Sequence, residues 1–176
     1  MRPRLSNAKL LFASNVVLIA ALVAVAGPQL PSKSNLPFAV RSLTGLDRVE
    51  VRVWPWKHMP AGLELSARKI QEAWQDRLKA AGFKLASGTD VPKLDLQVKL
   101  ESDSNVPDAL AVRALVTLKQ HVRVNRLDTE LLLPTWTGVY TELTPKSEID
   151  VELHTMKDRL IEEFIYRAQL ASRVQK

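Results

Sequence analysis

The sequence predicts an α+β fold, a β-α-β-β-β-α domain in which a mixed four-stranded sheet carries two helices on one face. Two observations predict it. Four stretches alternate apolar and polar residues with a period of two, and two longer stretches repeat apolar residues every three or four positions. Separately, a basic head and an apolar run stand ahead of this pattern.

The first strand is signalled by Val49, Val51 and Val53 alternating with Arg48, Glu50 and Arg52, and Trp54-Pro55-Trp56 ends it. From Leu63 to Ala81 the period changes. Leu63, Ala67, Ile70, Trp74, Leu78 and Ala81 fall on one helical face, and Gly82 supplies the stop. A second strand carries Leu94, Leu96, Val98 and Leu100 against Asp95, Gln97 and Lys99, followed by a polar loop from Glu101 to Asp108.

Next comes a long alternating run with Val112, Ala114, Val116, Leu118, Val122 and Val124 on one side and Arg113, Thr117, Lys119, His121 and Arg123 on the other. Asn125-Arg126-Leu127-Asp128 is turn-like, and extended sequence resumes from Thr129 to Thr141, so the two runs form a hairpin. A four-residue loop pairs Val124 with Thr129, Arg123 with Glu130 and Val122 with Leu131. Continued without interruption, it pairs Leu118 with Thr135, Val116 with Thr137 and Arg113 with Tyr140. Pro134 has no N–H to give a ladder, which places this last strand at a sheet edge or demands a bulge there.

Pro145-Lys146-Ser147 opens a second helix, striped by Ile149, Leu153, Met156, Leu160, Phe164 and Ala168. Glu148, Asp150 and Glu152 crowd its start, where the helix dipole favours anions. The crossover through the first helix joins parallel strands with right-handed sense. Two helices cover only one side of the sheet, so the other side is expected to face water.

Ahead of the domain, Arg2, Arg4 and Lys9 precede the run Leu10–Ala26, which Gly27-Pro28 closes. A basic head before an apolar segment is an export signal whose positive end stays in the cytoplasm. Residues 1–27 are read as a signal peptide or a signal anchor. Ala24-Val25-Ala26 suits a signal peptidase, whereas the length of the run also suits a short retained span. The rest of the chain is then extracytoplasmic, on the periplasmic side, and an uncleaved leader anchors it in the inner membrane. Residues 28–46, with Pro28, Pro31 and Pro37, read as a Pro-rich linker, and residues 47–176 as one domain.

The whole chain of 176 residues carries a formal charge of +6. Without the three leader cations, 22 basic residues face 19 acidic ones, too small an excess for a nucleic-acid footprint. No cysteine is present, so neither disulfides nor lipid attachment at a cysteine is available. His58, His121 and His154 lie far apart and match no metal-ligand spacing, and Glu101, Asp103 and Asp108 lack the pattern of a calcium loop. Six scattered glycines build no phosphate loop, and no serine sits in a nucleophile elbow. The expectation is a protein without catalytic residues, metal or cofactor.

The uncovered sheet face is the expected place of function. Arg113, Lys119, His121, Arg123, Trp136 and Tyr140 are the candidate partner-binding residues, because Arg, Trp and Tyr dominate protein interfaces. The edge beside Pro134 offers a second mode, strand addition. Between residues 47 and 172 the element order resembles small periplasmic α/β modules such as the lipopolysaccharide-assembly lipoprotein family. The missing lipid-accepting cysteine departs from that family. The resemblance implies a non-catalytic accessory or scaffold subunit of an envelope complex, bound to a protein partner. The alternative is a module for an anionic glycolipid or polysaccharide, with the Arg and Lys ladder supplying charge.

Overall fold

A computed structural model describes residues 36–54, 63 and 65–174, so the leader, Trp56 and His58 lie outside the described residues. In chain order the elements are α1 (Phe38–Arg41), β1 (Arg48–Trp54), α2 (Ala67–Ala80), β2 (Lys84–Leu85), β3 (Lys93–Asp103), β4 (Val106–Val124), β5 (Thr129–Pro145) and α3 (Ile149–Arg173). The fold is α+β, and its mixed sheet has five strands in the order β2-β1-β3-β4-β5. The added member is β2, two residues that pair in parallel with Arg48 and Val49 at the outer edge of β1.

Helix α2 starts at Ala67 because the Ser66 side chain accepts a hydrogen bond from the Lys69 N–H, an N-cap that leaves Leu63 outside the helix. It ends at the expected place. Gly82 adopts φ +93°, and the Phe83 N–H reaches back to the Leu78 carbonyl at 2.9 Å, closing the last turn. The crossover then delivers β3 parallel to β1, Val51 beside Leu94 and Val53 beside Leu96. Both α2 and α3 lie on one side of the sheet. The Trp74 indole N–H donates to the Lys157 carbonyl at 2.9 Å, and Arg77 bridges to Glu162 at 2.7 Å and Asp158 at 3.3 Å, tying the helices together.

Most of the core comes from the predicted stripes. Ile70, Trp74 and Leu78 of α2 and the α3 stripe from Ile149 to Ala168 bury against Val49, Val51, Leu94, Leu96, Val98, Val112, Ala114, Val116 and Leu118. Residues 36–46, read from sequence as linker, differ: Leu36, Val40 and Leu43 are buried in the same core, and Phe38–Arg41 is a short helix. Three apolar residues with helical spacing outweigh the prolines and serines around them, so the packed unit begins by Leu36 rather than at Asp47. The expected loop from Glu101 to Asp108 also contracts, since β3 and β4 run on into a tight connection at Ser104-Asn105.

The hairpin holds its predicted register only near the tip. Val124 pairs with Thr129, Arg123 with Glu130 and Val122 with Leu131, as expected. Beyond Lys119, which faces Pro134, the ladder shifts by one residue, and Leu118 pairs with Trp136, Val116 with Gly138 and Arg113 with Thr141. Thr135 is the extra residue of a bulge. Its hydroxyl lies 2.7 Å from Gln120 Oε1, and its carbonyl accepts from Ser42 Oγ at 2.8 Å. Both consequences foreseen for Pro134 occur together, because β5 is also the edge strand.

Candidate docking face

A bulge of one residue reverses the faces of everything beyond it. Trp136 and Tyr140, expected on the open face, are therefore on the helix side, 5% and 7% exposed. The Trp136 ring packs edge-on against Phe164. Tyr140 donates its hydroxyl hydrogen bond to Glu152, and the Arg159 guanidinium lies 5.7 Å from the centre of its ring. Burial, with the Glu152 hydrogen bond second, pushes the Tyr140 phenol up to about 12. Neither ring is available to a partner.

In their place the shifted register turns Val139 and Leu143 outward, 59% and 62% exposed. Pairing then builds a single row across four strands. Trp54 pairs with Gln97, Gln97 with Leu115 and Leu115 with Val139. Trp54 and Leu115 are themselves 49% and 38% exposed, so the row is apolar at three of its four places. Leu143, opposite Ala111, extends it along β5.

Charged residues flank this row unequally. On one side Arg52 donates to Glu50 at 2.8 Å, and Lys119 pairs with Asp95 at 2.9 Å. Asp95, expected to be displayed, is buried with Lys119 over it as its ion-pair partner, and its Oδ1 has no hydrogen-bond partner among the described residues. The Arg52 hydrogen bond holds the Glu50 carboxyl below its ordinary value, and the same bond raises the Arg52 guanidinium. Arg52 and Lys119 are thereby neutralised, while Lys93, between Glu50 and Lys119 in the register, forms no ion pair among the described residues. On the other side Lys99 pairs across the strands with Arg113, and neither forms an ion pair among the described residues.

Of the six predicted binding residues, only Arg113 thus stands exposed and unpaired beside the apolar row. His121 and Arg123 belong to the part of the hairpin that runs past the start of β3, where His121 Nε2 lies 2.9 Å from the Thr89 carbonyl and Arg123 bridges to Asp128 at 2.6 Å. Sequence reasoning missed Trp54, Leu115, Val139 and Leu143. Leu115 was visible as the apolar residue on the polar side of its run, and Pro134 carried the warning that the phase of β5 reverses. Among the described residues no group of three or more His, Asp or Glu side chains is placed to hold a metal ion, and no described helix is long and apolar enough to cross a membrane.

No family model and no curated protein matches the chain. Two of its neighbours among solved structures are lipoproteins. A minor lipoprotein from Acinetobacter baumannii is 15% identical with a TM-score of 0.35, the match covering 69% of this chain and 91% of that one. The uncharacterized lipoprotein B from Nitrosomonas europaea is 18% identical with a TM-score of 0.28, covering 85% and 86%. At this level of overlap no residue role passes from either protein to this chain.

Proposed function

We propose that this protein is a non-catalytic accessory subunit of the cell envelope, and that it docks a protein partner on the open sheet face. One observation carries the reading: the aligned row of Trp54, Leu115 and Val139, with Leu143 beside it, on a face that no described helix covers. Solvent-facing sheet sides ordinarily present polar residues at such positions, and an apolar row rimmed by charge is the anatomy of an interface centre. Location rests on the basic and apolar leader. Arg113 and Lys99 supply the rim, free to meet carboxylates of the partner.

The pairing of the other cations favours a protein over a polyanion. Arg52, Lys119 and Arg123 each already hold a carboxylate, so part of the positive ladder that a glycolipid or polysaccharide would need is spent within the chain, leaving Lys93, Lys99 and Arg113. The test is photocrosslinking of the full chain in its native membrane from a probe at Leu115, with Gln169 on the exposed side of α3 as control. A discrete protein adduct at Leu115 alone, lost in a Trp54→Ser, Val139→Ser variant that keeps its thermal stability, supports the docking face. Equal labelling at both positions, or an adduct indifferent to those substitutions, overturns it.

A further inference from the structure

The outer edge of β5 is unlike a protected edge. Natural edges are blunted by lysines, prolines or covering elements. Here Pro134 and Pro145 frame the stretch, and from Thr135 to Thr144 the only charged residue is Glu142. The Ser42 hydroxyl caps the Thr135 carbonyl, and beyond it no described residue hydrogen-bonds the outer backbone of β5. From Trp136 onward this is a long, charge-poor strand with one side unpaired.

We infer that this edge joins a second copy of the same chain, β5 against β5 in antiparallel register, with the two-fold axis through Thr141. Geometry narrows the choice of register. In an antiparallel pair, facing residues both aim their backbone groups at the partner strand or both aim them away, so a continuous strand pairs with itself only through residues of the same parity. The axis then passes through a residue, not between two. An axis at Glu142 sets that carboxylate against its own copy. An axis at Thr141 sets Val139 against Leu143 of the second copy, twice, and Glu142 against Tyr140 of the second copy.

The last pairing selects a second copy as the occupant. A groove of about 170 Å³ beside the edge is lined by Tyr140, Glu142 and, from α3, Arg159 and Glu163. Glu163 is engaged with Arg167, whereas Arg159 lies over the Tyr140 ring and forms no ion pair among the described residues. The incoming Glu142 arrives on the same side, opposite Tyr140, within reach of that guanidinium. Symmetry makes this charge-complementary contact twice. On the open face the apolar row from Trp54 to Val139 continues into Leu143 of the second copy, so the joint doubles the docking surface without depending on what docks there.

The absence of cysteine makes the test direct. In the full chain, purified in detergent, Thr141→Cys is expected to give a disulfide-linked dimer on mild oxidation, because residues facing each other across such a joint have Cα atoms about 4.5–5.5 Å apart. Val139→Cys and Leu143→Cys each crosslink poorly alone and efficiently when the two variants are mixed. Without cysteines, sedimentation is expected to show a dimer that Glu142→Arg weakens at least tenfold and that Glu142→Arg with Arg159→Glu restores. A monomer at tens of micromolar, or crosslinking at Thr141 no stronger than at His121→Cys, overturns the inference, as does a joint in another register. Since the assay contains only this chain, failure here is separable from failure of the docking face, which is read in the membrane.

Discussion

Trp136 meets Phe164 edge to face, with ring centroids 5.3 Å apart and planes at 66°. The contact exists because Thr135 is left over in the β4–β5 ladder, which turns Trp136 inward over the last helix. Trp136→Ala is expected to cost about 3–5 kcal/mol of stability in urea unfolding. Trp54→Ala, on the open face, is expected to stay within about 0.5 kcal/mol of the parent. The reverse ranking would place the wrong tryptophan in the core.

Gly138 lies directly beneath that indole. A Cβ built there meets the Trp136 ring at 2.8 Å, closer than carbon atoms tolerate, and the ring is already packed edge-on against Phe164. Gly138→Ala is therefore expected to destabilise by about 1–3 kcal/mol, through overpacking and not backbone strain. Pairing it with Trp136→Phe is expected to recover much of the loss, a coupling that a thermodynamic double-mutant cycle measures.

Asp95 is buried with Lys119 as its ion-pair partner at 2.9 Å. Lys119→Met leaves the carboxylate in place without that partner and is expected to cost about 1–3 kcal/mol, the desolvation penalty of a buried polar group. Asp95→Leu combined with Lys119→Met is expected to be milder than Lys119→Met alone. Equilibrium unfolding of the three variants decides it, and additive losses would remove the pair from the account.

Tyr140 links stability to alkaline pH. Its phenol is raised from 10.0 to about 12 in the folded chain, first by burial and then by the Glu152 hydrogen bond. A raised group contributes its full stabilisation below the unfolded value and loses it as pH climbs through the folded one, so the relevant window runs from 10.0 to about 12. Tyr140→Phe is expected to start less stable at neutral pH, with the gap to the parent narrowing across that window. Denaturation curves on either side of it provide the check, and a constant gap contradicts the linkage.

Much of the fold was legible because it depends on local period. The stripe from Ile149 to Ala168 buries as read, Gly82 ends its helix, and the hairpin tip pairs as its four-residue loop requires. The candidate site was legible only up to Lys119. Trp136 and Tyr140 were assigned by extending a correct register through Pro134, and one extra residue there exchanged two aromatic rings for Val139 and Leu143 on the open face. Charge was misread for a related reason: composition counts Lys119 and Arg123 as free cations, whereas the fold brings Asp95 and Asp128 to them.

By itself the sequence determined the two long helices, four of the five strands, which flank of each is apolar as far as Pro134 in β5, and that a basic, apolar leader stands ahead of the domain. Those properties follow from neighbours a few residues apart along the chain. Tertiary structure alone decided the bulge at Thr135, the burial of Leu36, Val40 and Leu43, and the row that unites Trp54, Leu115 and Val139. Each depends on strands distant in sequence being hydrogen-bonded in one register, and a shift of one residue, invisible to periodicity, changes which side of the sheet the partner meets.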